Sequence, residues 1–156
     1  KGVRDVLATG YLAGYPLEDL RVIVYDGKSH PVDSKEVAFV SAGRKAFIDA
    51  LKGASPTILE PIVELTITAP DAYMGDITGD IASRRGQILG TDNLAGGMME
   101  IKATAPLAEL EDYATRLHAV TQGSGAYSMD LASYQPVPYQ KQQELASKFE
   151  RKEEDD

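Results

Sequence analysis

VELTITAP (residues 63–70) is answered thirty-six residues later by MEIKATAP (residues 99–106). In the first copy Val63, Leu65 and Ile67 alternate with Glu64, Thr66 and Thr68; in the second Met99, Ile101 and Ala103 alternate with Glu100, Lys102 and Thr104. Alternation with period two marks a strand with one face buried and the other open. Each copy closes on Thr-Ala-Pro. Proline suits the first turn of a helix, where its missing N–H has no intrahelical partner to lose. The repeat therefore predicts two strands, each turning into a helix at its proline.

The sequence beyond each proline agrees. Met74, Ile77 and Ile81 fall on one stripe of a helix over residues 71–85, and Leu107, Leu110, Ala114 and Leu117 on one stripe of a helix over 107–121. Gly86 and Gly123 stop them, and apolar-rich strands follow at 87–91 and 126–134. The order β-α-β-β-α-β predicts an α+β, ferredoxin-like antiparallel sandwich with both helices on one face of a four-stranded sheet. Gly75 and Gly79 each cost a helix interior about 1 kcal/mol. They are expected where the sheet beneath, or a partner's backbone, comes close.

Upstream, residues 3–9 read as the end of a helix closed by Gly10. LRVIVY (residues 20–25) reads as a strand, and Asp26-Gly27 as a turn. Asp33 with Glu36 resembles a capping box ahead of a helix that carries Val37, Val40, Phe47 and Leu51 and stops at Gly53. This helix-strand-helix piece is a partial α/β domain, since one strand makes no sheet. The domain boundary is placed near Gly53-Ala54-Ser55-Pro56. Residues 140–156 read as a charged, partly helical tail with an acidic, frayed end.

The chain's 156 residues carry a formal net charge of -8, balanced as +1 over 1–55, -7 over 56–139 and -2 over 140–156. That excludes a protein that coats DNA, which needs a basic surface. No apolar run approaches the ~20 residues that span a membrane. The absence of an initiating Met suggests a processed chain or a piece of a longer one. With no Cys there is no disulfide or thiolate metal site, which fits a cytoplasmic protein. Neither a phosphate-cradling GxxxxGK[ST] loop nor an HExxH pair occurs, so no cofactor and no catalytic centre is expected within the chain.

Three places remain as candidate contacts. Arg84 and Arg85 lie in the last turn before Gly86. They either complement the negative end of the helix dipole or form a phosphate clamp. The apolar stripe puts one of them at the edge of the buried face, and its neighbour is left for solvent or a partner. Lys28, Ser29 and His30 sit in an exposed loop, either as plain turn residues or as a donor-rich tip for RNA. His118 reads as complementing a helix end.

In this order and spacing, the segments Leu12-Ala13-Gly14-Tyr15-Pro16, Tyr25-Asp26-Gly27, His30 with Val32-Asp33-Ser34, Leu59-Glu60-Pro61, Tyr73-Met74-Gly75-Asp76, SRRGQI (residues 83–88) and Thr121-Gln122-Gly123 resemble the C-terminal end of translation elongation factor G. The resemblance implies that residues 1–55 are the second half of domain IV, with a tip loop at about 26–33, and that residues 56–139 are domain V. It further implies a ribosome-binding part of a translational GTPase that promotes tRNA–mRNA translocation. His30 would stand at the tip that enters the decoding site, and Gln122 would touch ribosomal RNA. GTP with Mg would belong to the full-length protein, acting as a monomer. The family's common Lys and Arg around Thr-Gln-Gly are replaced here by Val120 and Ser124, which points to a divergent elongation factor G-like paralogue, such as one acting in ribosome recycling. Two rivals remain: a stand-alone ferredoxin-like module for ligand binding or dimerisation, and a phosphate-ester hydrolase using Arg84 or Arg85.

Overall fold

The computed structural model describes residues 1–32 and 34–149, which fall into two compact units. The first joins residues 1–58 to residues 137–149; the second is residues 59–136.

In the first unit, α1 (Gly2–Thr9) and α2 (Glu36–Gly53) pack around Val6, Phe47 and Leu51, with Val3, Leu7, Tyr11, Leu17 and Ile48 at the margin. Gly2 is what lets the helices meet, because a Cβ there would lie 2.1 Å from the Val40 carbonyl oxygen. Gly10 closes α1 as expected, its N–H reaching the Val6 carbonyl at 2.9 Å. Residues 20–25 form no strand. A strand is completed by the hydrogen bonds of a neighbour, and among the described residues none lies beside it, so Val24 and Tyr25 stand 83% and 94% exposed. The expected capping box rests on Asp33, which lies outside the described residues. Lys35 takes the N-cap position without a side-chain bond, and Glu36 is the first helical residue. Of the apolar residues at helical spacing, Val37 is exposed.

The second unit carries the predicted sandwich. Strands β1 (Leu59–Pro70), β2 (Gln87–Leu94), β3 (Met98–Pro106) and β4 (Ala126–Pro136) form one antiparallel sheet in the order β2-β3-β1-β4. The two repeat strands are its centre, paired with Leu65 opposite Ala103 and Ile67 opposite Ile101. Helices α3 (Met74–Ser83) and α4 (Tyr113–Val120) each follow a short 3-10 turn, Asp71–Tyr73 and Leu107–Glu109. Ile77, Ile81, Leu110, Tyr113 and Leu117 join Val63, Leu65, Ile67, Met99 and Ile101 in one core. The 3-10 turn shifts the phase of α4, so Tyr113 is buried and Ala114 is exposed. Gly75 and Gly79 have nothing within 4 Å of a would-be Cβ, so no close approach by the sheet explains them.

Residues 137–149 belong to the same unit as residues 1–58. Val137 N–H bonds the Ile58 carbonyl at 2.9 Å, and α5 (Tyr139–Lys148) places the Gln142 side chain 3.4 Å from the Ile58 amide. The acidic end assigned to residues 150–156 lies outside the described residues. No helix among the described residues is long and apolar enough to cross a membrane.

Candidate functional site

Helix α3 ends in a Schellman turn. The Gly86 N–H bonds the Ile81 carbonyl at 2.9 Å and the Arg85 N–H bonds that of Ala82 at 3.2 Å. Glycine usually takes the left-handed position of this turn. Here that position belongs to Arg85, with φ 58°. Gly86 is needed for a different reason: a Cβ would fall 2.5 Å from the Ile81 side chain and 2.8 Å from its carbonyl oxygen.

Both guanidiniums are held by carboxylates of the same unit. Arg85 grips Glu60 through two bonds, 2.8 and 2.9 Å, and donates to Glu109 at 3.1 Å. Its pKa is raised above its already high ordinary value, chiefly by the Glu60 carboxylate. Arg84 donates to Asp80 at 3.0 Å, and at 2.6 Å each to the Glu109 carbonyl and Asp112. Its side chain is 13% exposed, and its guanidinium lies 5.5 Å from the Tyr113 ring centre. Asp80 also accepts from Arg116 at 3.2 Å. The pair thus ties the end of α3 to β1 and to the start of α4. An incoming phosphate would have to displace acids already in place, which counts against the hydrolase. The stripe put one of the two at the edge of the buried face and left its neighbour for solvent or a partner; here both guanidiniums are held by carboxylates within the unit. Tyr113, edge-on to Tyr127 at 5.1 Å, carries a buried hydroxyl without a hydrogen-bond partner among the described residues, and burial pushes its pKa up.

The Arg84 hydrogen bond holds the Asp112 carboxyl below its ordinary value. A lowered carboxyl pKa adds stability that is full above the unfolded value, near 3.9, and is lost as pH falls through the folded value. Asp112→Asn should therefore melt below wild type at pH 7, with the gap closing below about pH 4. A gap unchanged between pH 7 and pH 3 in thermal melts would show the ion pair to be idle.

Helix α4 repeats the same ending. Thr121 caps it, Gln122 takes the left-handed position at φ 51°, and the Gly123 N–H bonds the His118 carbonyl at 2.8 Å. Thr121 is fully buried. Its hydroxyl donates to the Leu117 carbonyl at 2.7 Å and accepts the Gly125 N–H at 2.9 Å. The Thr121 carbonyl accepts from the Ser124 amide at 3.0 Å and from its hydroxyl at 2.5 Å. Gln122 is exposed, and its side chain has no partner among the described residues. Nothing in the composition pointed to Thr121; a Thr one position before a Gln-Gly helix stop is the only sequence sign it gives.

Within the sheet unit the candidates do not converge on one pocket. Arg85 meets Glu60 near the start of β1, and Ala126, just after the Gln122 loop, pairs with Thr68 near its end. Eight strand residues separate those points, about 26 Å. Lys28, Ser29 and His30 lie in the other unit, exposed and outside any helix or strand. There the Ser34 hydroxyl accepts the His30 amide at 2.6 Å and donates to the His30 carbonyl, while His30 Nδ1 accepts the Val32 N–H at 3.3 Å. Among the described residues no cluster of three acids or histidines could hold a metal.

Comparison with known proteins covers both units. Residues 1–55 match the family model described as Elongation factor G, domain IV, and residues 57–145 the one described as Elongation factor G C-terminus. A relative named elongation factor G, from Aquifex pyrophilus, is 48% identical over 138 residues, spanning 88% of this chain. The chain spans only 20% of that relative's length. A solved crystal structure from Thermus thermophilus aligns with 94% of the chain and 22% of its own, at 37% identity and a TM-score of 0.75.

Proposed function

Because the chain belongs to the elongation factor G family, we propose that it is a ribosome-binding part of a translation factor that promotes tRNA–mRNA movement, and that it carries no catalytic step. GTP with Mg is assigned to the longer protein. The observation that carries this reading is the family relationship across both units. The exposure of the two loops that the family's RNA contacts would need supports it. Lys28, Ser29 and His30 would face the tRNA–mRNA at the decoding site, and Gln122 ribosomal RNA. Arg84 and Arg85 enter as braces within the sheet unit, since four side-chain carboxylates hold them.

Phosphate contacts make binding salt-dependent, and each neutralised phosphate contributes close to one to the slope. The chain should sediment with ribosomes at low salt and release as salt rises. Lys28→Ala should lower the log–log salt slope by about one. Failure to pellet with ribosomes at the lowest salt, paired with a dimer on gel filtration, would favour the stand-alone module.

A further inference from the structure

Non-glycine residues in the left-handed region cost about 1–2 kcal/mol. The chain places three at the position just after a helix cap, Ser55, Arg85 and Gln122, and of the two in the sheet unit only one is compensated there. Arg85 is met by Glu60 and Glu109. Gln122 is met by nothing among the described residues, yet its loop is built more tightly than a solvent turn requires. Thr121 is 0% exposed; its hydroxyl donates to Leu117 and accepts from Gly125. Gly123 takes φ 83°, and a Cβ on Gly125 would lie 2.7 Å from the Thr121 hydroxyl oxygen. Uncompensated strain on a rigid support is the pattern of a contact residue held ready.

We propose that Thr121 is a positioning residue. Its buried hydroxyl fixes the turn that holds the Gln122 amide outward, to meet RNA through hydrogen bonds rather than charge. The proposal rests on the ribosome-binding reading. A glutamine amide brings two donors and an acceptor, which suits a base edge or a 2′-hydroxyl. The residues flanking Thr121-Gln122-Gly123, Val120 and Ser124, are uncharged, so this contact should leave the salt dependence alone.

The test combines thermal melts with ribosome sedimentation of this chain over a salt series. Gln122→Gly should raise the melting temperature by relieving the left-handed strain, yet weaken ribosome binding by about fivefold to tenfold with an unchanged salt slope. Thr121→Val should weaken binding by a similar factor, and Thr121→Ser should restore it. In the Gln122→Gly background, Thr121→Val should lower the melting temperature with no further loss of affinity. The proposal is overturned if Gln122→Gly binds as wild type, or if Thr121→Val weakens binding equally in both backgrounds. If the wild-type chain does not sediment with ribosomes at all, the underlying reading fails and takes the proposal with it.

Discussion

Leu65→Ala should cost the sheet unit about 4 kcal/mol, the upper part of the range for buried leucines. Leu65 is 0% exposed in the central strand, with Ala103 opposite on β3 and Met129 opposite on β4. Its neighbours are held on both sides by ladder hydrogen bonds, so the cavity cannot close by local collapse. Small domains have only about 5–15 kcal/mol in total, so this single truncation should remove much of the unit's stability. Urea unfolding followed by circular dichroism should show an earlier midpoint with an unchanged slope. A cost below about 1.5 kcal/mol would mean that Leu65 does not sit in a rigid core.

Gly86→Ala should cost about 2–3 kcal/mol, as an overpacked site does. Two of the three atoms the new methyl would strike are carbonyl oxygens, those of Ile81 at 2.8 Å and Thr104 at 3.0 Å. Moving either disturbs a helix end or a strand. Gly75→Ala is the internal control. Its surroundings are empty and its conformation is helical, so alanine there should stabilise by up to about 1 kcal/mol. Opposite signs for two glycines on one helix and its stop would separate close approach from ordinary helix propensity. Destabilisation by both would show that α3 is under a constraint not described above.

What could be read from the sequence was what depends on nearby residues. The alternation in residues 63–70 and 99–106 fixed two strands and their inner faces, and the prolines and glycines bounded two helices. LRVIVY failed because strand propensity describes one segment, while a strand is a relation between two. The phase of α4 failed because a 3-10 turn inserted before it moved the buried position from Ala114 to Tyr113. Gly86 was read correctly as a stop but for an incomplete reason. Its neighbour takes the left-handed turn, and the glycine leaves room for Ile81 and for the Thr104 carbonyl. The arginines could be placed at a helix end, but their partners could not. Glu60 and Glu109 lie 25 and 24 residues away from Arg85 in opposite directions, and only the closed sheet brings them together. For Lys28, Ser29 and His30 the sequence implied an exposed loop, and that is where they lie.

The sheet order sets a timetable for synthesis. β1 is made first and stands at the centre, yet one of its neighbours is β4, the last strand of the unit; Leu59 lies opposite Pro136. The only pairing between consecutive strands is β2 with β3, joined by a three-residue turn through Gly96 and Gly97. A hairpin of that kind forms in microseconds, whereas pairing across the whole unit must first close a long loop. A nascent chain therefore holds an apolar strand without neighbours until residues 98–106 have emerged. It keeps one edge of that strand open until nearly all of the unit is made. The last residues added complete the oldest strand, so amides of β2 and β3 should gain protection from hydrogen exchange before those that join β1 to β4.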